Sequence, residues 1–82
     1  MTLAQSKLSL SQAQLQAERE RAQLLAERAR LIDKSFRAGE TALPEMLRAL
    51  SAGVSAESAL ARQQIIYQTA ISRLEQTLGL LP

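Results

Sequence analysis

The feature that most constrains this chain is a helix-breaking segment near its midpoint, residues 36–44 (FRAGETALP). Gly39 can adopt the left-handed conformation that ends a helix, and Arg37 places a cation near the last carbonyls. Thr41 is a candidate N-cap, and Pro44 falls in the following first turn, where a missing N–H breaks no helical hydrogen bond. A stop followed so closely by a start predicts two helices folded back antiparallel as an αα-hairpin. One continuous helix kinked at Gly39 is the alternative.

The flanking stretches extend this prediction to the whole chain. They are rich in Ala, Leu, Gln, Glu and Arg, which favour helices, and the sequence has only 3 Gly and 2 Pro. We expect a single all-α domain over residues 1–82, with helices at about 2–38 and 42–78 and a turn at about 39–41. Gly79 and Pro82 predict that the second helix ends inside the chain. Since two helices bury little apolar surface, we expect this coiled-coil-like hairpin to assemble into a helical bundle or barrel.

The first predicted helix has two lines of apolar residues at heptad spacing. One line, joined by Leu25 and Ile32, forms an a/d seam and consists of Leu8, Leu15, Ala22, Ala29 and Phe36. The other consists of Leu3, Leu10, Ala17, Leu24, Leu31 and Ala38. Because residues advance by about 100° each, the two lines lie on nearly opposite sides, and the helix is expected to have two neighbours.

The second predicted helix also has two apolar flanks. We expect the first flank, Leu43, Leu47, Leu50 and Val54, to pack against Phe36, Ile32, Ala29 and Leu25. The second flank, expected to be uncovered, consists of Met46, Ala49, Gly53, Ala56, Leu60, Tyr67, Ala70, Leu74 and Leu81. An exposed apolar ridge marks an interface, so Met46, Gly53, Leu60, Tyr67 and Leu74 are predicted to form a seam with a neighbouring helix. Gly53 is interpreted as a point of close helix approach, with a local bend as the alternative.

Charge and composition exclude several functions. The net charge of +2 arises from ten cations distributed among eight anions. The pairs Glu18–Arg21, Glu27–Arg30 and Asp33–Arg37 are spaced as ion pairs along a helix, which indicates a solvated face. A one-signed basic stripe with aromatic residues is missing, so nucleic acid is not the expected partner. A basic coiled coil on nucleic acid is the least favoured alternative, and it predicts strongly salt-dependent binding.

Catalytic and membrane-spanning patterns are also missing from the sequence. With no Cys and no His, the chain lacks a thiol nucleophile, an imidazole base and the commonest zinc ligands. The carboxylates are spread singly, so we expect no enzyme activity, no cofactor and no metal site. Neither an apolar run of about 18 residues nor a basic-then-apolar start is found. We therefore expect this segment to lie outside the membrane, and an exported protein would need residues upstream.

Residues 36–49 (FRAGETALPEMLRA), an Ala-rich helix containing Tyr67 and the closing residues 72–79 (SRLEQTLG) resemble one family. They look like the C-terminal helical hairpin of outer membrane factors, the TolC-like channel proteins of Gram-negative tripartite efflux pumps. Residues 78–82 (LGLLP) are most similar to the branch that serves heavy-metal cation pumps of the cobalt-zinc-cadmium type. The similarity covers nearly all of this chain but only the last part of such a protein, which implies a fragment of a larger outer membrane efflux protein.

The resemblance implies a place in a conduit. In that family three protomers form a periplasmic barrel of antiparallel helices that continues into the outer membrane, and each helix touches a neighbour on both sides. The turn would be the periplasmic tip, which docks the periplasmic adaptor protein and, through the full complex, the inner-membrane pump. Tip and docking roles are implied for Phe36, Arg37, Gly39, Glu40 and Thr41. Thr41 departs from the pattern, because some relatives have a basic residue there that helps hold the aperture shut.

The residues leave a second function open. A free-standing hairpin could dimerise into a four-helix bundle and act as a cytoplasmic scaffold or regulator. The missing export signal favours this module, whereas the turn motif favours the channel. Upstream sequence would discriminate between them, since only a channel protein needs an export signal and membrane strands.

Overall fold

The structure, a computed structural model, describes residues 3–79 as two long helices joined by a short turn. Helix α1 spans Leu3–Arg37 and helix α2 spans Leu43–Gly79. They pack antiparallel along their length into a rod of 66 × 17 × 14 Å, and residues 3–79 contain no strand. The predicted all-α hairpin is confirmed, and the continuous kinked helix is excluded. The expectations for Thr2, Leu80, Leu81 and Pro82, including the end of the second helix, lie outside the described residues.

The predicted seam of α1 is confirmed. Leu15, Ala22 and Ala29 are buried, and the other members of this line, Leu8, Leu25, Ile32 and Phe36, are half-buried. Ser11 and Glu18 occupy the remaining d positions of the same heptads, so the seam also takes in a hydroxyl and a carboxylate.

The predicted face of α2 is wrong. Ala49, Gly53 and Ala56 are buried against α1, so the flank that we expected to be uncovered is the one that forms the seam. The flank expected in the seam consists of Leu43, Leu47, Leu50 and Val54, which are all exposed. Compared with the packing predicted from the sequence, α2 is therefore rotated about its own axis, so that Ala49, Gly53 and Ala56 face α1.

Residue size explains which flank α1 selects. Ala22 and Ala29 of α1 face a line of equally small residues on α2, and Ala56 has an exposed fraction of 0%. A Cβ atom built on Gly53 would lie 3.8 Å from the carbonyl oxygen of Leu25 and 3.9 Å from the Cβ of Ala29. Small side chains on both helices let the backbones approach closely at this point, which the bulkier leucine flank would not allow. The close-approach interpretation of Gly53 holds, although the neighbour is α1 of the same chain, and α2 continues through Gly53 without a break.

Away from the turn, the helices are also joined by polar side chains. The amide nitrogen of Gln63 donates a hydrogen bond to the side-chain oxygen of Gln14 at 3.3 Å. The amide of Gln12 donates to the hydroxyl oxygen of Tyr67 at 3.5 Å. Both bonds are exposed, so each contributes little to the free energy of folding.

Candidate functional surface

The turn is closed by a complete Schellman motif. Gly39 has a φ of 79°, in the left-handed region that glycine tolerates best. Its N–H donates to the carbonyl oxygen of Phe36 at 3.0 Å, and the N–H of Glu40 donates to that of Ser35 at 2.9 Å. These two bonds satisfy carbonyls that the end of α1 would otherwise leave free. The predicted helix stop at Gly39 is therefore confirmed.

The start of α2 differs from the prediction by one residue. The carbonyl oxygen of Ala42 accepts the first helical hydrogen bonds, from the N–H groups of Glu45 and Met46, each at 3.2 Å. Ala42 is thus the N-cap, and the predicted cap Thr41 precedes it. The hydroxyl of Thr41 is instead hydrogen-bonded to the hydroxyl of Ser35 at 2.6 Å, which ties the start of α2 back to the last turn of α1. Thr41 therefore stabilises the turn as a bridge and not as a cap.

The predicted tip residues occupy different environments around this turn. Phe36 is half-buried at the end of the seam, whereas Gly39 and Glu40 are exposed. The Nε of Arg37 lies 3.1 Å from a carboxylate oxygen of Asp33 one turn earlier, as its spacing predicts. A Cβ atom built on Gly39 would contact no heavy atom within 4 Å other than those of Gly39 and its two chain neighbours. The turn thus presents open backbone and a carboxylate, beside an arginine already engaged in an ion pair.

The predicted interface residues of α2 lie in the intramolecular seam. Gly53 is buried, and Met46, Leu60, Tyr67 and Leu74 are half-buried on the same face. These residues already pack toward α1, so they are not the free ridge that the sequence indicated.

A free apolar line lies on each helix. On α1, the α1 row consists of Leu3, Leu10, Ala17, Leu24 and Leu31, all exposed. On α2, the α2 row consists of Leu43, Leu47, Leu50 and Val54, with exposed fractions of 42% to 67%. The second flank predicted for α1 is therefore confirmed as an apolar line separate from the seam, and sequence reasoning missed the α2 row because it placed those residues in the seam.

The two rows lie on opposite faces of the hairpin. Leu50 and Val54 border a groove of about 610 Å³ together with Ala26 and Arg30 of α1. Ala17 and Leu24 border a different groove of about 460 Å³, on the other side of the seam, together with Ala52 of α2. A single neighbour on one face would therefore leave the other row in water.

Two polar atoms in the seam have no hydrogen-bond partner. Ser11 is buried, with an exposed fraction of 5%, and its Oγ is unpaired. One carboxylate oxygen of Glu18 is also buried and unpaired. The predicted ion pair of Glu18 with Arg21 does not form, because Glu18 falls on the seam line while Arg21 is exposed. Buried polar atoms are normally paired, so this part of the seam is the least satisfied.

The remaining charges are distributed over the surface. Arg30 and Glu27 form the predicted ion pair at 2.6 Å, with both side chains mostly exposed. Residues 3–79 contain no cluster of three or more carboxylates that could hold a metal ion. Neither described helix has the length and hydropathy that a bilayer crossing requires. The distinctive features of this surface are thus its closed turn and its two apolar rows.

Comparison with protein-family models, with curated proteins and with solved structures finds no match to this chain.

Proposed function

We propose that this chain is the periplasmic tip hairpin of an outer membrane efflux channel, where it forms part of the conduit and docks the periplasmic adaptor protein. The observation that supports this most is the pair of exposed apolar rows on opposite faces of one hairpin. A hairpin with two such rows needs a neighbour on each face, as a helix inside a larger helical assembly has. The parent protein would be a trimer in the outer membrane, with this segment in the periplasm.

The turn supports the docking part of the proposal. Its backbone is closed by hydrogen bonds of 2.9 and 3.0 Å, so it is pre-organised, and binding would cost little ordering entropy. Gly39 and Glu40 are exposed at the end of the rod, where a partner can reach them without displacing a side chain. The adaptor would then contact backbone groups and the Glu40 carboxylate.

The cargo proposed from the family resemblance is a heavy-metal cation. With no Cys and no His in the chain, thiolate and imidazole ligands are missing and Met46 is the only internal thioether, so the segment would act as a passive wall and not as a metal-binding site. The chemistry and the energy for export would come from the inner-membrane pump.

The test is a pair of substitutions at Gly39 in the full-length parent protein. Gly39→Val forces a β-branched residue into the left-handed region, at a cost of about 1–2 kcal/mol or more, and should displace the turn. We expect reduced adaptor cross-linking and reduced metal resistance, with the amount of protein in the outer membrane unchanged. Gly39→Asn is the matched control, because asparagine tolerates this conformation, and it should retain most cross-linking. Unchanged efflux and unchanged cross-linking in Gly39→Val would overturn the proposal.

A dimeric interaction module is the second candidate, supported by the position of the α2 row. Leu43, Leu47, Leu50 and Val54 all lie in the half of α2 next to the turn, on one face. Two hairpins stacked through this face would form a four-helix bundle in that half. Sedimentation of the chain and of Leu47→Gln with Leu50→Gln tests it: a dimer that the double variant abolishes favours the module. An outer membrane location of the native protein would instead favour the channel.

A further inference from the structure

We propose that the α1 row binds the α1 row of a second copy of this chain, with the two hairpins side by side and their turns at the same end. The four leucines of the row have exposed fractions of 56% to 71%. From Leu3 to Leu31 the row extends for about 42 Å at 1.5 Å per residue. The α2 row, from Leu43 to Val54, is less than half as long, so a second copy covers the α1 row fully only with its own α1 row. This pairing goes beyond the proposed function, which requires a neighbour on the α1 row without identifying it.

A line of cations, the basic line, lies on one side of the α1 row. Lys7, Arg21 and Arg28 each follow a member of the row by four residues, which places them about 40° to one side of it. Lys7 borders a groove together with Arg73 of α2, and Arg28 borders another together with Arg48, so the basic line lies on the side facing α2. None of its three cations forms an ion pair in the described part of the chain. The basic line is therefore available to a neighbour.

Two carboxylates, the acidic line, lie on the other side of the row. Glu20 and Glu27 each follow a member of the row by three residues, which places them about 60° in the opposite direction. Glu20 accepts a hydrogen bond from the amide of Gln16 at 3.1 Å, and Glu27 pairs with Arg30. Both contacts are exposed and therefore weak, so they can be exchanged for contacts with a neighbour. The α1 row thus has opposite charges on its two sides.

These charges suit a second copy that runs parallel to the first. When two identical helices run parallel about a two-fold axis, opposite sides of their rows meet, so the acidic line of each copy faces the basic line of the other. Glu20 then lies beside Arg21 of the second copy, and Glu27 beside Arg28 of the second copy. Each pair is offset by one residue, or about 1.5 Å along the axis. The same pairs repeat on the other side of the interface, so the surface is complementary to itself.

The antiparallel direction is unfavourable. The leucines alone would allow it, because the row is symmetric about Ala17. However, like sides of the two rows then meet, and Lys7 of each copy lies opposite Arg28 of the other. Repulsion between cations replaces the attraction of the parallel pairs. The two-fold pairing describes two copies of the chain and is independent of the trimer proposed for the parent protein.

The first test is sedimentation equilibrium of the 82-residue chain and of variants that change one row at a time. We expect a dimer that Leu10→Gln with Leu24→Gln weakens at least tenfold. Leu47→Gln with Leu50→Gln makes the same change in the α2 row and should leave the dimerisation constant within twofold. Circular dichroism checks that each variant keeps its helices. A chain that stays monomeric at millimolar concentration would overturn the proposal, as would a dimer lost only in the α2-row variant.

Charge exchange tests the predicted contacts. Arg21→Glu with Arg28→Glu makes both sides of the row acidic, and Glu20→Arg with Glu27→Arg makes both sides basic. Each double variant alone should associate at least tenfold more weakly than the parent, because like charges then meet. An equimolar mixture of the two should restore association, since every contact again joins opposite charges. A mixture that stays monomeric would reject these contacts.

A matched control separates these contacts from net charge. Arg19→Glu with Arg62→Glu changes the net charge equally, at exposed positions away from the α1 row. This variant should dimerise within twofold of the parent, and it should not restore the association of the basic variant. Equal weakening by the control and by Arg21→Glu with Arg28→Glu would overturn the proposal.

The direction of pairing is tested with one introduced cysteine, since the chain has none. In the parallel pair position 10 of one copy faces position 10 of the other, so Leu10→Cys should form an intermolecular disulfide on mild oxidation. In the antiparallel pair it would cross-link only when mixed with Leu24→Cys. Cross-linking in the mixture alone would overturn the proposal. The channel proposal would be unaffected, because it is tested separately at Gly39 in the parent protein.

Discussion

The half of the hairpin next to the turn and the half away from it are held together in different ways. Near the turn the fully buried members of the seam are small residues, such as Ala29, Ala49 and Gly53. Away from the turn it contains Leu15 but also Ser11 and Glu18, each with an unpaired buried oxygen. The first half depends on close backbone approach, and the second half combines apolar burial with unsatisfied polar groups. Adding a side chain much larger than a methyl group should therefore destabilise the first half, and removing a polar group should stabilise the second.

The largest expected effect is overpacking of the half near the turn. Ala56→Leu places three extra carbon atoms at a position with an exposed fraction of 0%, which should lower the free energy of unfolding by about 1–3 kcal/mol. Thermal or urea unfolding of the chain measures it. Ala13→Leu makes the same change at an exposed position of α1 and should stay within about 0.5 kcal/mol of the parent. Equal stability of the two variants would mean that the seam around Ala56 has room for a larger side chain.

The next effect should have the opposite sign and lie in the other half. Glu18→Met replaces a carboxylate that has a buried, unpaired oxygen with an apolar side chain of similar length, and should raise the free energy of unfolding by about 1 kcal/mol. Urea unfolding at neutral pH measures the change. Glu75→Met, at an exposed position of α2, is the control and should have little effect. A loss of stability in Glu18→Met would show that this carboxylate is satisfied in solution.

The smallest effect tests how close the helices are at Gly53. A Cβ there would make ordinary contacts at 3.8 and 3.9 Å, so Gly53→Ala should raise the free energy of unfolding by up to about 1 kcal/mol through helix propensity. Gly39→Ala is the contrast, because its φ of 79° makes the same substitution unfavourable by about 1 kcal/mol. Thermal unfolding of both variants should give shifts of opposite sign. Destabilisation by Gly53→Ala would mean that the helices are closer at Gly53 than the distances of 3.8 and 3.9 Å indicate.

The turn and the seam of α1 could be predicted because local chemistry determines them. Gly39 allows a conformation that few other residues tolerate, and the heptad spacing from Leu8 to Phe36 gives α1 one well-defined line. The face of α2 could not be predicted by counting apolar residues, since α2 has two apolar flanks and the bulkier one has the higher hydrophobicity. The signal was the small size of Ala49, Gly53 and Ala56, matched by Ala22 and Ala29 on α1.

The candidate surface was predicted less completely than the fold. The tip residues were identified by position, but the hydrogen bond between Ser35 and Thr41 needs both hydroxyl positions in space. The α2 row can be identified only once the seam is known, because the exposed flank of α2 is the apolar flank that does not pack against α1. Similarly, nothing in the local sequence relates Lys7 to Arg73, which are 66 positions apart and border one groove only when the hairpin closes.

The shortness of the turn has a consequence for how the chain folds. Only five residues, 38–42, separate the helices, so the first contacts between them require closure of a very small loop. Each later contact extends a pairing that has already formed, and folding can proceed like a zipper from the turn to the two ends. The length of the rod can then change without changing the contacts that form first. Removing one heptad from each helix, at equal distances from Gly39, should shorten the protein while leaving its folding nucleus intact.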